Sequence, residues 1–183
     1  MDGAIILDKE AGSSSHAAVL AVRRLLSESR IGHLGTLDPF ATGVLVLLLG
    51  RATRLARFYR DREKTYQGAI RFGYSTDTYD CTGSPTSPDL SPILDADEIR
   101  RLFLDFTGTF MQQPPPISAK KVGGVPAYKL TRKGRAPTLE AVPVTVQGLE
   151  LLAIDGSTAS FRVRVSSGTY IRSLAHEMGK RMG

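Results

Sequence analysis

Apolar positions along the chain fall into blocks of different period. Gly3 to Leu7 is a short apolar strand turned by Asp8 to Gly12. Ser13 to Ser15 offer N-caps for a helix running to about Ser27, with Ala18, Val19, Val22, Leu25 and Leu26 on its core face. Arg23 and Arg24 lie near its C-terminal end, where the helix dipole favours cations. Ile31 to Pro39 reads as a loop punctuated by Gly and Pro. Val44 to Leu49 is an unbroken apolar run between glycines, too short to span a membrane, and reads as a buried strand. Arg51 to Arg60 reads as a helix, with Leu55 and Phe58 inward and Arg51, Arg54 and Arg57 near one face.

Lys64 to Tyr74 alternates. Tyr66, Gly68, Ile70 and Phe72 fall on one face, and Thr65, Gln67, Ala69 and Arg71 on the other. A polar connection follows from Ser75 to Ser91. Asp95 to Glu98 is a D-x-x-E capping box opening a helix through Phe103, with Ile99, Leu102 and Phe103 inward. Phe106 to Phe110 turns out of that helix. Val142 to Ile154 and Ala159 to Val165 form an antiparallel hairpin around Asp155-Gly156; Phe161, Val163 and Val165 face the core, Arg162 and Arg164 solvent. Tyr170 onward reads as a helix with Ile171, Leu174, Ala175 and Met178 on its apolar side. The pattern predicts an α+β fold: a mixed, largely antiparallel sheet with flanking helices.

Composition narrows the function classes. The chain has 183 residues and 42% apolar content, enough for a folded core. Cys81 is its one cysteine, which excludes an internal disulfide and a cysteine-based zinc site. His16, His33 and His176 lack ligand spacing, so no metal is expected. The N-terminus lacks a secretory signal pattern, and a cytoplasmic location is the default expectation, with no membrane partner. The net charge of +6 and isoelectric point near 9.7 favour a polyanion, nucleic acid before membrane. The charge is uneven. Met111 to Arg135 carries six Lys/Arg and no acid. Three prolines, Pro114 to Pro116, prevent a helix at its start, Gly123-Gly124 suggests a hinge or hairpin, and Pro126 fits the first turn of a short helix with Ala127, Leu130 and Thr131. A flexible basic loop is the plain reading of this stretch. An RNA clamp is the functional one.

The candidate chemistry centres on Asp38. Asp-Pro starts turns, so Asp38 can simply cap one. Its surroundings suggest more: Gly32, Gly35 and Gly43 allow close approach, Thr36 and Thr42 add hydroxyls, and His33 lies five residues away. The whole run G-H-L-G-T-L-D-P-F-A-T-G-V-L resembles the signature of the tRNA pseudouridine-55 synthases, the TruB family. A K-x-Y triplet at Lys64 to Tyr66, the T-D-T-Y-D-C-T-G-S-P connection and a G-T-Y-I-R motif at Gly168 to Arg172 also match, as does the D-K-x-x-G-x-x-S opening with Lys9 and Ser15. Read without the family, Lys9 is equally a solvated surface lysine, Tyr66 a strand aromatic, Tyr170 a helix-start tyrosine and Arg172 a surface arginine.

The resemblance implies the pseudouridine synthase catalytic fold with residues 111–135 as a basic, thumb-like RNA-contacting insertion. It implies tRNA, through its T-stem-loop, as partner and substrate, uridine 55 as the isomerised nucleotide, and no cofactor. Asp38 becomes the catalytic carboxylate, either nucleophile or base, and Arg172 keeps it ionised. Tyr66 stacks on the flipped uracil and removes a proton from it, Tyr170 lines the uracil pocket, and His33 faces the gap left by the base. Arg51, Arg54, Lys120, Lys121, Lys129, Arg132 and Lys133 are the candidate contacts to the RNA backbone. Family members continue beyond the position of Gly183, so the expectation is a monomeric catalytic domain incomplete at its C-terminus, with the C-terminal RNA-binding domain absent. The alternative is a truncated, inactive RNA-binding module of the same family. A glycosidase-type hydrolase would need a second carboxylate, and nothing in the spacing pairs Asp8, Asp77 or Asp80 with Asp38.

Overall fold

The apolar run after Gly43 is the middle strand of a three-stranded antiparallel sheet. In the computed structural model, β1 (Gly3–Lys9) and β2 (Ile31–His33) flank β3 (Gly43–Leu49) in the order β1-β3-β2. The structure describes residues 1–118, 121–122, 125–126 and 139–183, with 121–122 and 125–126 as backbone. The described chain divides into two units, Met1–Arg62 and Glu63–Gly183.

In the first unit, Leu45, Leu47 and Leu49 are buried on one face of β3, while on the other Val44 is exposed and Leu48, nearer the end of the strand, is buried. The covering element is α1 (Ser15–Leu26). Ser14 caps it by accepting the Ala17 N–H at 3.1 Å, and Ser27 closes it at φ 50. Val19 is buried against Ile31 and the three leucines, with Ala18, Val22, Leu26 and Leu37 packed beside them. Leu25 is not on this face and is 82% exposed. It lies six residues after Val19, about 120° round the helix.

Two sequence expectations change here. The start of the predicted loop is strand: Ile31, Gly32 and His33 pair with Leu49, Leu48 and Leu47. The predicted arginine helix is instead a 3-10 turn (Gly50–Leu55) followed by one helical turn, α2 (Ala56–Tyr59). Gly50 has φ 55, and a Cβ there would collide with Asp2 and the Met1 carbonyl. The Thr53 hydroxyl donates to the Gly50 carbonyl at 2.7 Å, which tightens the turn. Leu55 and Phe58 end up exposed.

The second unit is built on a four-stranded antiparallel sheet. Its strands are β4 (Lys64–Arg71), β5 (Gly108–Gln112), β8 (Val142–Asp155) and β9 (Thr158–Val165), in the order β4-β9-β8-β5. The hairpin of β8 and β9 turns at Gly156, φ 55, as its sequence predicts. Phe161, Val163 and Val165 are buried and Arg162 and Arg164 exposed. Helix α3 (Ala96–Asp105) is capped by Asp95, whose carboxylate accepts from the Asp97 and Glu98 N–H groups. Ile99, Leu102 and Phe103 join Ile70, Phe72, Val146 and the β9 residues in one core, which Leu174 and Met178 of α4 (Ile171–Met182) complete.

The chain after α3 departs from expectation. The turn expected over Phe106 to Phe110 gives way to strand from Gly108, and Gly108 to Gln112 pairs with Val142 to Val146 as edge strand β5. Phe110 packs on the core there, and Met111 faces out. Further on, β6 (Lys121–Val122) and β7 (Val125–Pro126) pair antiparallel, and the expected hinge or hairpin at Gly123-Gly124 lies outside the described residues. Pro126 is the last residue of β7, and a proline at the edge of a two-stranded ribbon costs little because its missing N–H need not pair. Ala127, Leu130 and Thr131 lie outside the described residues. Among the described residues every strand pair is antiparallel and the class is α+β.

Candidate active site

Asp38 sits on a loop whose backbone is fastened on both sides. On one side the Ser15 hydroxyl accepts from the Leu37 N–H at 2.9 Å and donates to the Leu37 carbonyl at 3.1 Å. On the other, the Pro39 carbonyl accepts from the Gly12 N–H at 2.8 Å and from Lys9 Nζ at 3.3 Å. Lys9 also donates to the carbonyls of Glu10 at 2.9 Å and Ser13 at 2.8 Å. Its three protons therefore meet three carbonyls, which satisfies an ammonium that is only 2% exposed. This overturns the surface-lysine reading of Lys9. Ser15 is equally buried. The Asp38 carbonyl accepts from the Ala41 N–H at 3.1 Å, so the Asp-Pro turn forms as its residues predict. Asp38 itself is half-buried.

His33 is the last residue of β2, just before the loop that carries Asp38. Its Nδ1 is 2.6 Å from the Gly35 carbonyl, a contact that assigns the proton to Nδ1 and leaves Nε2 as the other ring nitrogen. Arg51 is exposed, but its Nε meets Asp2 Oδ2 at 2.7 Å and its N–H meets Asp2 Oδ1 at 2.6 Å. Arg54 is exposed at the end of the 3-10 turn. Lys120, Lys129, Arg132 and Lys133 lie outside the described residues, as does the side chain of Lys121.

The second unit carries Tyr66, Tyr170 and Arg172. Tyr66 is opposite Val163 on β4, half-buried and packed on the core. Tyr170 is the N-cap of α4, with φ −95 and ψ 110, and makes no side-chain cap. Gln112 of β5 bonds both backbone groups of Tyr170. Arg172 is not the surface arginine its helix position allows. It is 9% exposed and donates to the carbonyls of Thr78 and Ile117, each at 3.0 Å. Its Nε lies 3.7 Å from Asp80 Oδ2.

Asp80 is held in turn. Its Oδ1 accepts from the Thr78 hydroxyl at 2.8 Å, the Thr82 N–H at 2.9 Å and the Thr82 hydroxyl at 2.6 Å. A Cβ on Gly83 would collide with Thr78 Oγ1, so the loop closes only on glycine. Tyr79, at φ 62, lays its ring on His176 with centroids 3.6 Å apart and planes 8° from parallel. Ser75 Oγ is 2.9 Å from His176 Nδ1. His176 follows Arg172 by one helical turn, so the stack and the Arg172 bonds dock one loop on one helix face. Sequence reasoning took this stretch as a polar connection and missed Gln112, Tyr79 and His176. A glutamine in an alternating strand and a histidine in a helix carry no local signal of a partner far along the chain.

The same matched segments appear in known proteins. The profile of the TruB family pseudouridylate synthase N-terminal domain matches residues 23–171. The chain belongs to this family. It is 50% identical over 183 residues to the tRNA pseudouridine synthase B of Solibacter usitatus, covering all of this chain and 62% of that protein. It is 42% identical over 185 residues to that of Aquifex aeolicus, covering all of this chain and 64% of the relative. The chain thus spans less than two thirds of the length of these curated relatives. Among solved structures, a Cbf5-Nop10-Gar1 complex matches 99% of this chain and 44% of its own, with a TM-score of 0.73 and 31% identity. An H/ACA RNP bound to a substrate RNA containing 2'-deoxyuridine matches with a TM-score of 0.71 and 28% identity, covering 99% of this chain and 43% of its own. Among the described residues no three His, Cys, Asp or Glu side chains gather to hold a metal ion, and no helix is long and apolar enough to cross a membrane.

Proposed function

We propose that the protein isomerises uridine 55 in the T-loop of tRNA to pseudouridine, with Asp38 as the essential carboxylate. The observation that carries this reading is the fastening of the Asp38 loop. Lys9, Gly12 and Ser15 spend hydrogen bonds on the residues to either side of Asp38, in a chain of the pseudouridylate synthase family. A carboxylate that must meet one ribose carbon in one orientation benefits from such a fixed backbone.

The reaction needs no cofactor. The N1–C1′ glycosidic bond breaks, the uracil turns, and C5 forms the new bond to C1′. The C5 hydrogen leaves as a proton, and N1 gains one. Asp38 is ionised at the outset and acts on the nucleotide, either as nucleophile or as base for a ribose proton. Arg172 has the task of favouring that ionised form, since an opposite charge does so. Tyr66 stacks on the flipped base and removes the C5 proton, Tyr170 lines the uracil pocket, and His33 faces the gap left in the T-loop. The net positive charge attracts the RNA, with residues 111–135 as the basic contact segment and Arg54 and Arg51 beside the Asp38 loop in sequence.

Tritium release from a T-stem-loop RNA carrying 5-tritiated uridine tests this reading. Release by the wild-type protein and none by Asp38→Asn is expected. Equal release by the two proteins would refute the role of Asp38. Tight RNA binding with no release by either would favour the alternative, an RNA-binding module without isomerase activity.

A further inference from the structure

Gln112 occupies a position that its strand gives to apolar residues. Along β5 it shares a face with Phe110, which packs on the core, and it is 2% exposed. A primary amide buried this deeply must find partners for both ends. It finds them on one residue: its Nε2 donates to the Tyr170 carbonyl at 3.1 Å, and its Oε1 accepts from the Tyr170 N–H at 2.8 Å. The Tyr170 N–H requires an acceptor, which fixes which end of the amide is oxygen. The side chain therefore pairs with Tyr170 as a neighbouring strand would, and gives the N–H of the N-cap residue an acceptor.

The next residues repeat the attachment. Ser173 Oγ donates to the Gln113 carbonyl at 2.7 Å, and Arg172 Nη2 donates to the Ile117 carbonyl at 3.0 Å. The stretch from Gln112 to Ile117 thus holds the start of α4, where Tyr170 and Arg172 stand. Gln112 spends its own side chain on this attachment, and it sets the backbone of Tyr170 directly.

We propose that Gln112 is a positioning residue for the isomerisation. Its amide fixes the Tyr170 backbone, and through it the ring of Tyr170 and the first turn of α4 that carries Arg172. This rests on the roles given to Tyr170 and Arg172 above. Gln112 touches no reacting atom. Its contribution is to place two groups to which the proposed reaction gives roles.

Two variants test it. Gln112→Met keeps the length and removes both bonds. Gln112→Glu keeps an acceptor for the Tyr170 N–H, but as a carboxylate it offers no donor and sets a second oxygen against the Tyr170 carbonyl. Once protonated, a carboxyl group presents one donor and one acceptor, as the amide does. The readouts are tritium release from the T-stem-loop RNA across pH and hydrogen exchange of the Tyr170 amide. Gln112→Met is expected to lower kcat/KM by about tenfold or more at every pH, as a small misplacement of catalytic groups does. Gln112→Glu is expected to show the same loss near about pH 8 and to approach wild type as the pH falls, because burial favours its protonated form. Taking the ratio to wild type at each pH cancels the titration of other groups. In both variants the Tyr170 amide exchanges faster at high pH while α3 amides keep wild-type rates. Wild-type kcat/KM in a folded Gln112→Met protein would overturn the proposal. If that variant does not fold, a Gln112→Glu ratio that stays flat with pH would overturn it. A wild-type protein that releases no tritium would overturn the isomerase reading and the positioning role with it, and unchanged Tyr170 exchange would overturn the clamp alone.

Discussion

Single side chains at this site are mostly scaffolding for others. Ser15 is an example. Its hydroxyl meets both backbone groups of Leu37 while itself buried, so Ser15→Ala leaves an unpaired N–H and carbonyl beside Asp38. The expected cost is about 1–3 kcal/mol in urea unfolding, with a larger proportional loss in tritium release than Ser14→Ala. Ser14 caps the same helix but does not touch the Asp38 loop. His176 gives a second prediction. Burial pushes its pKa below the usual imidazole range; the Lys180 charge adds to the shift, and Glu177 opposes it. The unfolded chain then binds the proton more tightly than the folded one, so stability from this group is complete above the ordinary value of 6.5 and is lost as the pH falls below it. Thermal melts at falling pH are expected to show this loss in the wild type, and less of it in His176→Gln. The proton resonances of the His176 ring should titrate below those of a model imidazole.

Elements were legible where the pattern was long and local. The β8–β9 hairpin, the alternation of Tyr66, Ile70 and Phe72, and the Asp95 cap each depend on neighbours within a few residues, and each is found where its residues put it. The misses share a different cause. Edge strand β5 holds one core aromatic, Phe110, and a buried glutamine, so its alternation does not show in hydropathy. Strand β2 is three residues long and owes its conformation to β3. The arginine helix is set by Gly50, crowded by the N-terminal residues, and by the Thr53 hydroxyl, neither of which enters a helical-period count. The Asp95 cap supplies a prediction at this scale. Asp95→Ala removes the acceptor for two N–H groups and is expected to cost about 1 kcal/mol, read as a lower midpoint in thermal unfolding.

At the scale of the molecule, motifs name the candidate residues, while the contacts that hold them lie between residues far apart in the chain. The family signature around Asp38 and the G-T-Y-I-R motif singled out the candidate residues. That Lys9 is buried, that Arg172 has Asp80 beside it, and that Gln112 holds Tyr170 depend on contacts between residues tens of positions apart. Charge also acts at this scale. With a net +6, binding of the T-stem-loop RNA is expected to weaken steeply as salt rises, with a linear decline of log affinity against log salt. A salt-independent affinity would point away from backbone contacts.

The central claim is that Asp38 performs the isomerisation. The most direct measurement is the nucleoside content of tRNA after incubation with the wild-type protein and with Asp38→Asn, digested and resolved by chromatography. The account predicts one pseudouridine per tRNA, at position 55, with the wild type, and unmodified uridine with the variant. Pseudouridine formed equally by Asp38→Asn, or formed at another position, would contradict it.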